Sequence, residues 1–250
     1  MNQFIRKISA IFFWIGLWAI AAAIINKPLL LPSPINVALR IASLISTTTF
    51  WSTTILSLLR IMTGIISAVL LGVVLATVTT HNRILSDLFS PILTVIKVTP
   101  VASFIILALI WVGRDYVPAV ISALMVLPII CNNVSAGLRN INPQLLELAK
   151  VYQLPRFTRF YRITIPSVMP YFLSAIQSSI GIGWKAGIAA EVLTVPALSI
   201  GKMIFESKMY METVDLFAWT LVVIVISLVI ETVLLKTLKQ ISKKYNGEVK

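Results

Sequence analysis

Five ionisable residues stand in or beside stretches apolar enough to cross a bilayer: Arg60, Lys97, Lys185, Glu191 and Glu231. An ion at membrane depth is costly, and by default it marks a substrate path, an ion relay or a pairing with another helix. Lys185, beside Trp184 near the middle of its stretch, carries an insertion cost of roughly 2.5 to 3.5 kcal/mol unless it faces water or a counter-charge. The chemistry open to it is electrostatic: a lysine lining a translocation path favours an anion, and an ion pair with another span is the equal alternative. Glu191 lies about 9 Å further along the same helix and on another face, so the two do not pair within it. Arg60 has a stem long enough to reach the outer interface and Lys97 the inner one, so snorkelling is the better reading for both. Trp184, Lys185, Glu191 and Lys97 are the candidates for lining a path.

Other chemistry is excluded by spacing. The only Gly-Lys pair, Gly201-Lys202, is followed by Met203 and preceded by no glycine at phosphate-loop spacing, so the chain has no such nucleotide site. His81 is the single histidine and Cys131 the single cysteine, which leaves no zinc-ligand set, no internal disulfide and no nucleophile with its base. No metal or cofactor is expected.

These charges must be positioned by membrane helices. Of 250 residues, 58% are hydrophobic and 12% charged, and the mean hydropathy is +0.95, beyond what a soluble domain of this size shows. The net charge of +12 fits cytoplasmic loops facing anionic lipid, and no nucleic-acid module is visible. Six spans are expected, at about 8–25, 61–78, 91–111, 116–131, 171–192 and 214–235, the first read as a retained helix and not as a cleaved leader. Arg6 and Lys7 before the first, Arg139 to Arg162 after the fourth and Lys236, Lys239, Lys243 and Lys244 after the sixth put these flanks, and both termini, in the cytoplasm. Residues 35–44, after Leu31-Pro32-Ser33-Pro34, suit a short interfacial helix. Gly64, Ala68, Gly72 and Ala76, and Ala175, Ser179, Gly183 and Gly187 ahead of Glu191, form four-residue stripes that let helices approach closely. Trp51, Trp111, Tyr116 and Trp219 suit an outer aromatic belt. The expected divisions are a first span with its outer segment (1–50), a core (51–235) and a basic tail (236–250).

Between spans four and five lies a polar, basic island, residues 142–166. Asn142 and Pro143 suit a helix start, a helix to about Gln153 is expected, and Pro155 breaks it before a second basic helix from Arg156 to Ile163. Leu145, Leu148, Ala149 and Tyr152 lie close to one helical face, with Glu147 beside it, as in a helix that docks into a partner's groove. Arg156, Arg159 and Arg162 share a face, with lipid headgroups as good a partner as protein.

Glu147-Leu148-Ala149, Gln153, Ile163 and Ile165-Pro166 resemble the E-A-A-x3-G-x9-I-x-L-P signature of ABC importer permeases, with Leu148 for the usual second alanine and Gln153 for the usual glycine. The likeness extends over about residues 31–231 and is closest to the nitrate, sulfonate and taurine group. Ser57-Leu58-Leu59-Arg60, Lys97-Val98-Thr99-Pro100, Trp184 to Glu191 and Ser199-Ile200-Gly201 resemble that group's segments.

The resemblance implies an all-α integral membrane protein with the six-helix type I importer permease fold (MetI-like) and cytoplasmic coupling helices in the loop 135–166. It implies that Glu147, Leu148, Ala149, Gln153, Leu154, Ile163 and Pro166 couple the permease to cytoplasmic ATPase subunits. A second permease copy in a homodimer and an extracytoplasmic solute-binding protein complete the assembly in the cell membrane. The solutes of the group range from nitrate and sulfonates to pyrimidine precursors, and the sequence does not choose among them. A self-sufficient secondary transporter or channel is the other reading; it predicts inverted repeats or a ring of intramembrane acids, and neither is evident.

Overall fold

The computed structural model describes residues 3–247, and the side chains of Lys7, Lys239, Lys243 and Lys244 lie outside that description. Among the described residues every regular element is helical: α1 (Gln3–Ile25), α2 (Pro34–Ile45), α3 (Thr48–His81), α4 (Arg83–Val98), α5 (Val101–Val112), α6 (Val117–Arg139), α7 (Pro143–Val151), α8 (Arg156–Arg159), a π-turn (Phe160–Thr164), α9 (Ile165–Thr194), α10 (Ile200–Met209) and α11 (Thr213–Gly247). Helices occupy all six expected span positions. Three, α3, α6 and α11 to Leu238, are each long and apolar enough to cross a membrane, and α4 with α5 makes a fourth if the bent pair is one span. The apolar part of α1 covers 17 residues. At 30 residues α9 is long enough, but its serines, Gln177, Lys185 and Glu191 dilute its hydropathy.

Three expectations are corrected. The third span is not one helix: α4 ends at Val98, Pro100 precedes α5, and the two axes differ by 111°. Proline 100 disfavours helical geometry in Thr99, which is extended at ψ 133°. The second basic helix of the island does not end near Ile163; helical turns run from Arg156 through the π-turn into α9 without a break, and the widened π-turn lies directly ahead of Pro166, which has no N–H to give a carbonyl of the preceding turn. Trp219 is not in a belt. It is buried and stacks on Phe50 at 5.3 Å, whereas Trp51, Trp111 and Tyr116 are exposed.

The chain divides into two compact units. One comprises residues 1–57 and 191–226. Its α2 starts at Ser33, whose hydroxyl accepts the Asn36 N–H, and is tied to α11 by a two-pronged ion pair of Arg40 with Asp215, both bonds 2.6 Å. That hydrogen bond raises the Arg40 pKa above its ordinary value against the opposing effect of burial.

The other unit comprises residues 58–190 and 227–250, and small residues set its packing. A Cβ on Gly64 would run into the Ala119 backbone, one on Gly72 would meet Ile130 at 2.9 Å, and one on Gly187 would meet Ile61 at 2.7 Å. Both four-residue stripes are therefore contact seams. Ile105, Ala108, Val117, Ile121, Ala186 and Ala190 form a buried cluster of α5, α6 and α9.

Candidate functional site

The loop after α6 is built from its caps. Asn142 accepts the Gln144 N–H at 2.9 Å and Pro143 occupies the first turn of α7, where its missing N–H leaves nothing unpaired. The helix ends at Val151, two residues earlier than the pattern suggests. Gln153 then adopts a left-handed conformation, φ 48°. Its N–H bonds the Lys150 carbonyl at 3.0 Å and the Leu154 N–H bonds the Ala149 carbonyl at 2.9 Å, a Schellman closure. The left-handed residue of that closure is the position where the family signature carries glycine, and a side chain there costs about 1–2 kcal/mol.

What α7 displays follows from that anchoring. Ala149 is buried at 3% exposure, while Leu145, Leu148, Val151 and Tyr152 are exposed and Glu147 stands among them. Leu154, Ile163 and Pro166 are half-buried. An apolar surface of this kind on a polar loop is suited to docking. Arg156, Arg159 and Arg162 are all exposed.

The candidate path residues part company. Glu191 is fully buried; its Oε2 accepts from the Ser57 hydroxyl at 2.8 Å and from the Gly201 N–H at 3.1 Å. Ser57 in turn accepts the Ile200 N–H at 2.8 Å, and Ser199 accepts the Lys202 N–H at 3.1 Å. The first three N–H groups of α10 are thus satisfied by side chains, with a carboxyl at the helix's positive end. Gly201 is required there, because any Cβ would collide with Glu191.

Trp184 is 1% exposed, whereas Lys185 and Lys97 are both exposed, each in a hollow of the second unit. Lys185 shares a hollow of about 230 Å³ with Gln177, Ser178 and Glu231. Lys97 shares one of about 540 Å³ with Arg139.

Residues 68–244 match the family described as binding-protein-dependent transport system inner membrane component. The chain belongs to this family. The permease is 28% identical over 153 residues to the nitrate import permease protein of Leptolyngbya laminosa, covering 60% of this chain and 54% of that relative. It is 22% identical over 238 residues to the taurine transport system permease protein of Escherichia coli, covering 93% and 86%. It is 27% identical over 178 residues to the formylaminopyrimidine transport permease protein of Halalkalibacterium halodurans, covering 71% of each. The chain spans about half the length of the nitrate relative and most of the other two. The expected all-α membrane permease is what these findings support, and the self-sufficient transporter gives way to it.

Sequence reasoning missed two sets of residues in the permease. Ser57 carried no signal as the partner of Glu191, because the two are 134 positions apart. The polar faces of α4 and α6 did carry one: Ser86, Ser90 and Thr94 recur on α4 at four-residue spacing, with Lys97 three residues on.

Proposed function

We propose that this permease forms the translocation path of an ATP-driven importer, and that α7 docks into cytoplasmic ATPase subunits. The observation that carries it is the exposed apolar face of α7 around Glu147, held at one angle by Asn142, buried Ala149 and the Gln153 closure. With no phosphate-binding loop of its own, the chain needs an external source of energy, and a family defined by dependence on a binding protein supplies solute from outside. Glu147, Leu148, Ala149, Gln153, Leu154, Ile163 and Pro166 transmit ATPase closure to α9 through the continuous helical turns that follow Arg156.

Residues 51–235 act as the core, in a homodimer, with an extracytoplasmic binding protein delivering the solute. Both termini and the loop 135–166 face the cytoplasm of an inner-membrane assembly, a reading supported by the placement of basic residues. Trp184 and Lys185 of α9 belong to the path, while Glu191 positions α10. The solute is small, of the kind the relatives are named for.

Purification from native membranes in mild detergent, followed by ATPase measurement, tests this. The native chain brings an ATPase with it, and Glu147→Ala lowers its activity or uncouples it from uptake. A chain that purifies alone and still moves solute in liposomes overturns the reading.

A further inference from the structure

The face that α4 turns to its large hollow carries a polar stripe; apart from it, the helix has only Arg83 and Asp87, in its first turns, as charged residues. Ser86, Ser90, Thr94 and Lys97 follow one another at intervals of four, four and three, which is one helical face. On α6, Asn132, Ser135 and Arg139 follow at three and four. All of them line the hollow of about 540 Å³, and no aspartate or glutamate does. Its volume is that of a small-molecule site.

Two cations over a bed of hydroxyl and amide dipoles, with no carboxylate among the lining residues, make a surface of one sign. A concave wall of low dielectric focuses that field and concentrates anions in it. The rise from Ser86 to Lys97 is about 16 Å and from Asn132 to Arg139 about 10 Å, so the hollow is elongated and a small ion does not meet every group at once.

A second observation singles out Lys97. It also lines a smaller hollow of about 190 Å³ with Thr99, Met125 and Pro128. At this point α4 has just ended before the 111° bend into α5, and Pro128 in α6 has no N–H to give the Leu124 carbonyl. Irregular backbone at membrane depth persists only where protein buries it or where it lines a wet cavity. A lysine reaching for lipid headgroups accounts for neither the second hollow nor the hydroxyl stripe.

We propose that this hollow binds a small, singly charged oxyanion, held by Lys97 with the polar groups of α4 and α6 and drawn in by Arg139, as a station on the solute's route. This rests on the permease reading above, and names its solute class as anionic.

The test uses the assembled importer in liposomes with its binding protein, and the detergent-solubilised complex titrated with sodium nitrate and with sodium methanesulfonate. One or both anions bind the native complex. Lys97→Gln weakens that binding and slows uptake by about tenfold, Lys97→Arg restores most of it, and Arg139→Gln lowers the uptake rate and flattens its salt dependence. Should Lys97→Gln fail to assemble, the Lys97→Arg and Arg139→Gln results decide alone. Native-like anion binding and uptake in the assembled Lys97→Gln and Arg139→Gln complexes overturn the proposal. So does loss of co-purifying anionic lipid with unchanged anion uptake, which assigns the site to a headgroup. Absence of any ATPase from the preparation counts against the importer reading instead, and leaves the anion titration to judge the site.

Discussion

Lys97 and Lys185 look alike in sequence, one cation each in an apolar stretch, and the fold treats them differently. Lys185 opens into a hollow that also holds Glu231, so opposite charges share one space. Trp184, buried against the same hollow, has its indole N–H unpartnered there. Such a hollow is balanced and tolerates water or a solute of mixed charge. Lys97 shares its hollow with a second cation and a row of hydroxyls. The difference teaches that an intramembrane lysine selects for an anion only where the fold withholds a counter-charge.

The strongest way to break this contrast is charge reversal. Lys97→Glu is expected to cut anion uptake by about 100-fold, since like charge in a concave site costs several kcal/mol, while Lys185→Gln, a path residue with a carboxylate in its own hollow, lowers uptake by about fivefold without changing which anion is preferred. Equal losses in reconstituted uptake would erase the distinction. Next comes a carboxyl outside both hollows. Glu191→Ala leaves the Gly201 N–H and the Ser57 hydroxyl without their acceptor, and is expected to destabilise the permease by about 1–3 kcal/mol per orphaned group, read as a lower melting temperature in detergent. Glu191→Gln keeps an accepting oxygen and loses less, and neither variant should alter which anion is preferred.

A smaller effect sharpens the comparison from the other side. Glu231→Gln removes the counter-charge beside Lys185 and is expected to raise nitrate binding in a Lys97→Gln background by about fivefold or less, measured by titration. No change would mean that Lys185 and Glu231 do not sense each other. The smallest effect lies far from either hollow. Gln153→Gly relieves a left-handed side chain and should stabilise the α7 closure by about 1 kcal/mol, slowing amide exchange at Leu154 about fivefold without touching anion preference.

The loop proposed for coupling was legible because its information is local. Caps, proline positions and spacing act over a few residues, and Asn142, Pro143 and Pro155 placed α7 to within two residues at its end. The left-handed turn at Gln153 was legible only as a departure from the signature's glycine, and the hydrogen bonds explain what that glycine is for. The seams of Gly64 to Ala76 and Ala175 to Gly187 were equally readable, since period alone puts small residues on one face.

By itself, the sequence determined that this is an all-helical membrane permease and where its six apolar segments lie, and it marked out the polar loop that we propose for energy coupling. Those conclusions follow from hydropathy, helical period and local capping, all properties of neighbouring residues. Only the tertiary structure decided which groups surround each of these charges. Glu191, equally a path residue by sequence, meets Ser57 across 134 positions and caps α10; Lys185 lines one hollow with Glu231, and Lys97 lines another with Arg139 and no carboxylate. A charge's role depends on the sign and distance of the groups that enclose it, and those come from helices remote in sequence.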